Sequence, residues 1–239
     1  TSAGDYKYIG RLVATFDDAG ELVSIDNALS GPVRVSGVAP DAVVEDPTLK
    51  STVTEPVAAF VAGLEANVIA TSEVDLDGRR SPGVRTKETN EGNLVADAFL
   101  WQANQLASDF GLGSVDVALA NGGGIRNNSV LPAGDFTELD TFDILPFLNF
   151  LSVFETIDRD RFKLIMENAV SRVEGGSGTG RFAQIAGFEM VYDPLGVPAE
   201  FATDGTTINP GSRVTSLILD DGTVIVQDGA VLPGPPISL

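Results

Sequence analysis

The chain is 239 residues long, carries 15 basic and 34 acidic side chains for a formal charge of −19, and contains neither His nor Cys. Those absences exclude Ser-His-Asp and Cys-His nucleophile pairs, zinc fingers and imidazole-built metal centres. The charge excludes nucleic acid or an anionic membrane surface held by bulk electrostatics, because the summed field repels phosphate.

A hydrophobic content of 43% supplies a packed core. No apolar run approaches the ~18 residues that span a bilayer, so no membrane span is expected. The opening Thr1-Ser-Ala-Gly-Asp5 has neither a basic nor an apolar leader region. In chain order, alternation at Tyr8 to Phe16 and Glu21 to Ile25 around Asp17-Asp18-Ala19-Gly20 predicts a β-hairpin. A Pro/Val/Asp-rich connection follows from Gly31 to Pro47. Apolar residues at Val53, Val57, Phe60, Val61 and Leu64 then predict a helix from Thr48 to about Ala66, with Asp46 as N-cap and Pro47 in its first turn.

Val68 to Leu76 reads as a strand, with a turn at Asp77-Gly78. A second helix is expected from Glu88-Thr89-Asn90 to Ser108, facing inward with Leu94, Val95, Ala98, Phe99, Gln102 and Leu106. Ser114 to Ala120 has the pattern of a short buried strand. Thr137 to Ile144 predicts a short helix, Phe150 to Ile157 a strand, and Arg159 to Val173 a helix with Phe162, Ile165, Met166, Ala169 and Val170 inward. A Gly/Ser loop spans Glu174 to Gly180. Strands close the chain at Gly187 to Tyr192, Arg213 to Leu219 and Thr223 to Gln227, the last two joined at Asp221-Gly222. Helices and strands mix without a regular βαβ rhythm, which makes the fold class α+β (mixed α/β), a mixed sheet with flanking helices.

Chemistry concentrates in a few places. Asn121-Gly122-Gly123-Gly124-Ile125-Arg126 ends a strand. Three glycines there permit close backbone approach and offer unblocked amide donors, while Asn121 and Arg126 suit a polar, anionic group. A flexible turn with a solvated Arg is the plain alternative. Arg85, with Lys87 and Glu88, precedes the second helix and suits an anion clamp at its positive end, or pairing with surface carboxylates. Phe147, in Leu145-Pro146-Phe147-Leu148-Asn149, suits either a stacking platform or the core. Asp75-Leu76-Asp77-Gly78 begins like a calcium loop but lacks the downstream bidentate Glu, so it reads as a turn.

In order, several pieces resemble one family. They are Arg85-x-Lys-Glu-x-Asn90-x-Gly92-Asn93-Leu94-x-x-Asp97-Ala98, Asp116-Val-Ala-Leu-x-Asn121-Gly-Gly-Gly-Ile-Arg126, Leu145-Pro146-Phe147, and Gly180-Arg181-Phe182-x-Gln184-x-x-Gly187 with Tyr192-Asp193. The pattern is similar to the C-terminal, substrate-binding domain of the 5′-nucleotidases. Residues 1–45 resemble the terminal hairpin and connection of that family's N-terminal metallophosphatase domain, 46–67 its interdomain linker helix, and 68–239 the substrate-binding domain itself.

The resemblance implies a periplasmic or secreted hydrolase of nucleoside phosphates. Two divalent metal ions would act in an N-terminal metallophosphatase domain that is a partner outside this chain. Arg85 and Arg126 would then contact the phosphate and ribose, Asn121 with the Gly123-Gly124 backbone would line the same site, and Phe147 would cover the base. No catalytic residue and no metal ligand are implied within 1–239. The family's Gly-Gly-Asp-Gly-aromatic motif is expected just after Leu239, so a truncated, inactive piece with an incomplete nucleoside clamp is the expectation. Alternatives are a related cyclic-nucleotide phosphodiesterase, nucleotide-sugar hydrolase or thiosulfate-ester hydrolase, or a non-catalytic nucleotide-binding or extracellular interaction module.

Overall fold

A computed structural model describes residues 7–39 and 42–239. The chain divides into two compact units, residues up to Ala62 and Gly63–Leu239. Within the connection expected from Gly31 to Pro47, Pro40 and Asp41 lie outside the described residues.

In the first unit, β1 (Tyr8–Arg11), β2 (Ala14–Phe16), β3 (Leu22–Ile25) and β4 (Gly31–Arg34) form two antiparallel pairs, β1 with β4 and β2 with β3. The expected hairpin is therefore shorter than its sequence pattern. Asp17 accepts from Ala19 N and Glu21 N to close the β2–β3 turn. Asp26 accepts from Ala28 N and Leu29 N, turning the chain back so that β4 lies beside β1. Part of the expected connection is thus a strand. No described residue up to Ala62 is buried, so backbone pairing rather than a core holds these strands.

Asp46 caps α1 (Pro47–Leu49) by accepting from Thr48 N and Leu49 N, as the sequence pattern indicates. A wide π turn at Lys50–Thr54 leads into α2 (Glu55–Ala66). Thr52 Oγ1 bonds Thr48 O, and Pro56 has no N–H to offer one turn back, which together account for the widened ladder.

The second unit begins within α2. The stretch expected as one strand is two, β5 (Val68–Ser72) and β6 (Leu76–Asp77), broken where Ser72 Oγ bonds Val74 O. Thr89 caps α3 (Asn90–Leu106) through Gly92 N. The buried face of α3 matches expectation at Val95, which is buried, and at Phe99, which packs against the core, and differs elsewhere. Leu94, Ala98, Gln102 and Leu106 are exposed, and Glu91, Gly92, Val95, Ala96 and Ala103 are buried. Small residues let the helix backbone approach the strands beneath it, and a count of large apolar side chains does not register them.

Strand β7 (Ala118–Asn121) is the C-terminal part of the run expected from Ser114. Earlier in that run Asn104 brackets Val115 at both N–H and C=O, and Asp116 N and Val117 N both donate to Ser238 O. Then come β8 (Val130–Leu131), β9 (Gly134–Thr137) and α4 (Glu138–Ile144), whose start is a capping box between Thr137 and Asp140. The strand expected at Phe150 to Ile157 is not regular. It is an extended segment tied to the chain end by mutual bonds of Phe154 with Leu239 and Ile157 with Ile237.

Helix α5 (Arg159–Ala169), capped by Asp158, ends four residues earlier than expected. Strand β10 (Ala183–Ala186) pairs with β7, and after Gly187, at φ +84°, β11 (Phe188–Tyr192) leaves for another sheet. A small hairpin of β12 (Glu200–Phe201) and β13 (Thr207–Asn209), unanticipated, precedes β14 (Val214–Leu219), β15 (Val224–Gln227) and β16 (Ala230–Val231). β11, β14, β15 and β16 make a four-stranded antiparallel sheet. The fold is α+β, mixing helices with antiparallel strand pairs, as expected.

Two apolar clusters hold the second unit together. In one, Phe162 and Met166 of α5 pack on Phe188, Leu217 and Ile225, with the Phe162 and Phe188 rings edge to face at 5.1 Å. In the other, Val95 and Ala96 of α3 meet Ala118 and Ala120 of β7, Val84, Ile125 and Ile144. This second cluster is the floor beneath the candidate site.

Candidate functional site

Ile125, fully buried, anchors the loop that leaves β7. Around that anchor Gly122 N donates to Phe182 O at 2.7 Å, Gly123 N to Gly180 O at 2.8 Å, and Gly124 N to Asn121 O at 2.8 Å. The expected free amide donors of the glycine run are therefore engaged within the protein. What the glycines supply is closeness. A Cβ on Gly122 would lie 1.9 Å from Val84 O, and one on Gly123 would lie 3.0 Å from Gly180 O. Only glycine lets the 84–85 segment lie directly on this loop.

Arg85 comes to the loop by that route, since its Cα is 3.2 Å from where a Gly122 Cβ would sit. Its guanidinium stands near those of Arg80 and Arg126. Burial, then the charges of Arg80 and Arg126, hold the Arg85 pKa below the usual arginine value. The Nε atoms of Arg80 and Arg85 are buried without a hydrogen-bond partner. Arg80 bonds Arg126 O at 3.3 Å through Nη2, and Arg126 bonds Gly123 O at 3.3 Å through Nη1. Among the described residues none of the three makes an ion pair; the neighbouring Arg79 is the one bound to Asp77, whose carboxyl it holds down to about 2.

Three guanidinium groups gathered without a carboxylate, in a chain of charge −19, have the chemistry to accept an external anion. Phe147 completes the group. Phe147 is 53% exposed, and the Arg126 guanidinium lies over its ring at 5.5 Å from the centroid. Asn121 is also at hand. Its side chain lies over Gly123 and Gly124, with Nδ2 donating to Gly180 O at 3.4 Å. Arg85, Asn121, Gly123, Gly124, Arg126 and Phe147, selected from separate parts of the sequence, thus converge on one loop and its surroundings.

The sequence motifs do not single out Arg80, although an Arg79-Arg80 doublet in so acidic a chain is a usable signal. A second unforeseen feature lies just below. Glu91 is fully buried, its Oε2 accepts from Asn127 Nδ2 at 2.9 Å, and its Oε1 has no partner. Burial, and less strongly the charge of Asp77, outweigh the Asn127 bond and raise its pKa from the ordinary 4.5 to about 7. A dimetal centre does not fit the donors present: among the described residues no group of three or more His, Cys, Asp or Glu is placed to hold a metal ion.

Residues 68–231 match the family model described as 5′-nucleotidase, C-terminal domain. The chain belongs to that family. Among curated relatives, the trifunctional nucleotide phosphoesterase protein YfkN of Bacillus subtilis is 33% identical over 150 residues, covering 63% of this chain and 9% of that protein. A snake venom 5′-nucleotidase of Naja atra is 28% identical over 218 residues, covering 88% of this chain and 36% of that protein. The crystal structure of a 5′-nucleotidase precursor from Thermus thermophilus superposes with a TM-score of 0.56 at 30% identity, covering 97% of this chain and 38% of that one. This 5′-nucleotidase C-terminal domain chain therefore spans well under half the length of these relatives. Its arginine-and-glycine loop lies inside the matched region.

Proposed function

We infer that this chain is the nucleotide-recognition part of a 5′-nucleotidase-type phosphoric monoester hydrolase that acts on nucleoside phosphates. One observation carries the reading: Arg80, Arg85 and Arg126 are gathered without an acidic partner beside the half-exposed ring of Phe147. That pairing of cations with an aromatic face matches a ligand that is anionic at one end and planar at the other. The names of the relatives, nucleotide phosphoesterase and 5′-nucleotidase, agree with it.

The chain's own residues bind and orient. Arg85 and Arg126 hold the phosphate and ribose region, Arg80 steadies the loop through Arg126 O, Asn121 with Gly123 and Gly124 lines the wall, and Phe147 stacks on the base. Residues 1–45 belong to a metallophosphatase domain whose remainder lies outside this chain, 46–67 are the linker and 68–239 the substrate domain. Two divalent metal ions held in that other domain would supply the water activation. The venom relative, and the precursor form of the Thermus protein, support secretion or a periplasmic location. Among the described residues no helix is long and apolar enough to cross a membrane.

The test is a substrate screen of the full-length parent with Arg126→Ala and Phe147→Ala. Each variant is expected to lose at least about tenfold in kcat/KM on nucleoside monophosphates. Wild-type values in both would overturn the site assignment. The 239-residue chain by itself is expected to release no phosphate from AMP with Mn²⁺, Co²⁺ or Zn²⁺.

A further inference from the structure

Gln184 sits on β10, opposite Ala120 of β7, and is 1% exposed. A buried primary amide needs partners for two donor hydrogens and an acceptor oxygen. All the partners of this one belong to a single short segment. Nε2 donates to Val84 O at 3.0 Å and to Lys87 O at 2.8 Å, and Oε1 accepts from Thr89 N at 3.2 Å. These contacts bracket Arg85 on both sides. Thr89 in turn caps α3, so the same side chain also fixes where the helix begins. Room for it is made at Gly92, where a Cβ would lie 2.2 Å from Gln184 Oε1.

Arg85 needs such a mount. Within the described residues its guanidinium makes no hydrogen bond, its Nε is buried and unpartnered, and Arg80 and Arg126 repel it. Nothing at the end of the side chain holds it in place. Its position is therefore set through its backbone, by its own N–H donating to Arg80 O at 3.2 Å, by Gly122 packed on Val84 and by the Gln184 amide that grips the residues on either side.

We propose that Gln184 is a positioning residue of the nucleotide site: its amide grips Val84, Lys87 and Thr89 and so holds the Arg85 guanidinium in place against the repulsion of Arg80 and Arg126. The assignment rests on the nucleotide-site reading above and deepens it.

The experiment uses the 239-residue chain, with Gln184→Met to remove all three bonds at similar volume and Gln184→Glu to keep only the acceptor for Thr89 N. AMP affinity is followed by NMR titration, and hydrogen exchange is followed at the Arg85 and Thr89 amides. Both variants are expected to weaken AMP by about fivefold or more, and in an Arg85→Ala background the same substitutions are expected to change it less than about twofold, the non-additivity of residues acting as one unit. Gln184→Glu is expected to keep Thr89 protected while Arg85 exchanges faster; in Gln184→Met both exchange faster. A loss of affinity that persists undiminished without Arg85 marks a merely structural role and overturns the proposal. So does unchanged affinity in both variants when Arg85→Ala alone weakens binding. If the wild-type chain binds no AMP, the nucleotide reading is decided by the full-length parent's substrate screen, and the positioning role stands or falls on Arg85 exchange: unchanged protection in both variants overturns it.

Discussion

The Arg126 guanidinium lies over the ring of Phe147, 5.5 Å from its centroid, while the same guanidinium bonds Gly123 O. One cation thus links the glycine loop to the aromatic wall. A planar ligand and a bare anion should consequently feel Phe147 differently. Phe147→Ala is expected to weaken AMP binding about tenfold, since base stacking contributes roughly 1–3 kcal/mol, and to leave inorganic phosphate nearly unaffected. Calorimetry with both ligands on the 239-residue chain checks this. Equal losses for the two would remove Phe147 from the base platform.

Glu91 makes stability depend on pH in a direction its environment dictates. Its folded pKa, about 7, lies above the ordinary 4.5, so the folded state holds the proton more tightly than the unfolded state. That contribution is complete below about pH 4.5 and is lost as pH rises through about 7. The size of the loss is on the order of 3 kcal/mol. Glu91→Gln keeps an acceptor for Asn127 and cannot ionise. Urea midpoints are expected to show the variant gaining on wild type as pH rises from acid to alkaline. Parallel pH profiles for the two proteins would disprove the assignment.

A buried carboxylate of another kind pins β14 to α5. Glu167, 1% exposed, accepts from Arg213 N at 2.9 Å and Val214 N at 3.0 Å, and meets Lys163 Nζ at 3.2 Å. Arg213, itself buried, donates to Val170 O and Gly196 O and pairs with Glu174. Glu167→Ala strands two backbone amides and one partner charge, a loss expected to cost about 3 kcal/mol. Equilibrium urea unfolding measures it. A change under about 1 kcal/mol would show that the strand start is held by packing alone.

Features made by neighbours in the chain are legible from residue order alone. Asp46-Pro47 as a cap, the Thr137 start of α4, and the Asp221-Gly222 turn each depend on bonds spanning a few residues, and each is where the pattern puts it. The family is equally legible, because ordered short motifs survive as strings of residues. The unbroken strand expected at Val68 to Leu76 and the regular strand expected at Phe150 to Ile157 do not form. Apolar alternation reports local burial, while pairing depends on partners far along the chain, here β9 for one and Ile237 with Leu239 for the other.

The sequence by itself determined what this protein has to work with: no His or Cys, an excess of acid, and a few arginines set in glycine-bearing motifs. Tertiary structure decided how they are used. Only the folded chain puts Arg80 beside Arg85 and Arg126, spends the glycine amides internally, and turns Gln184 toward Val84, Lys87 and Thr89. The reason is one of range. A cap or turn is closed by bonds within one turn of chain, whereas a cluster of like charges exists only because packing from distant segments holds it together.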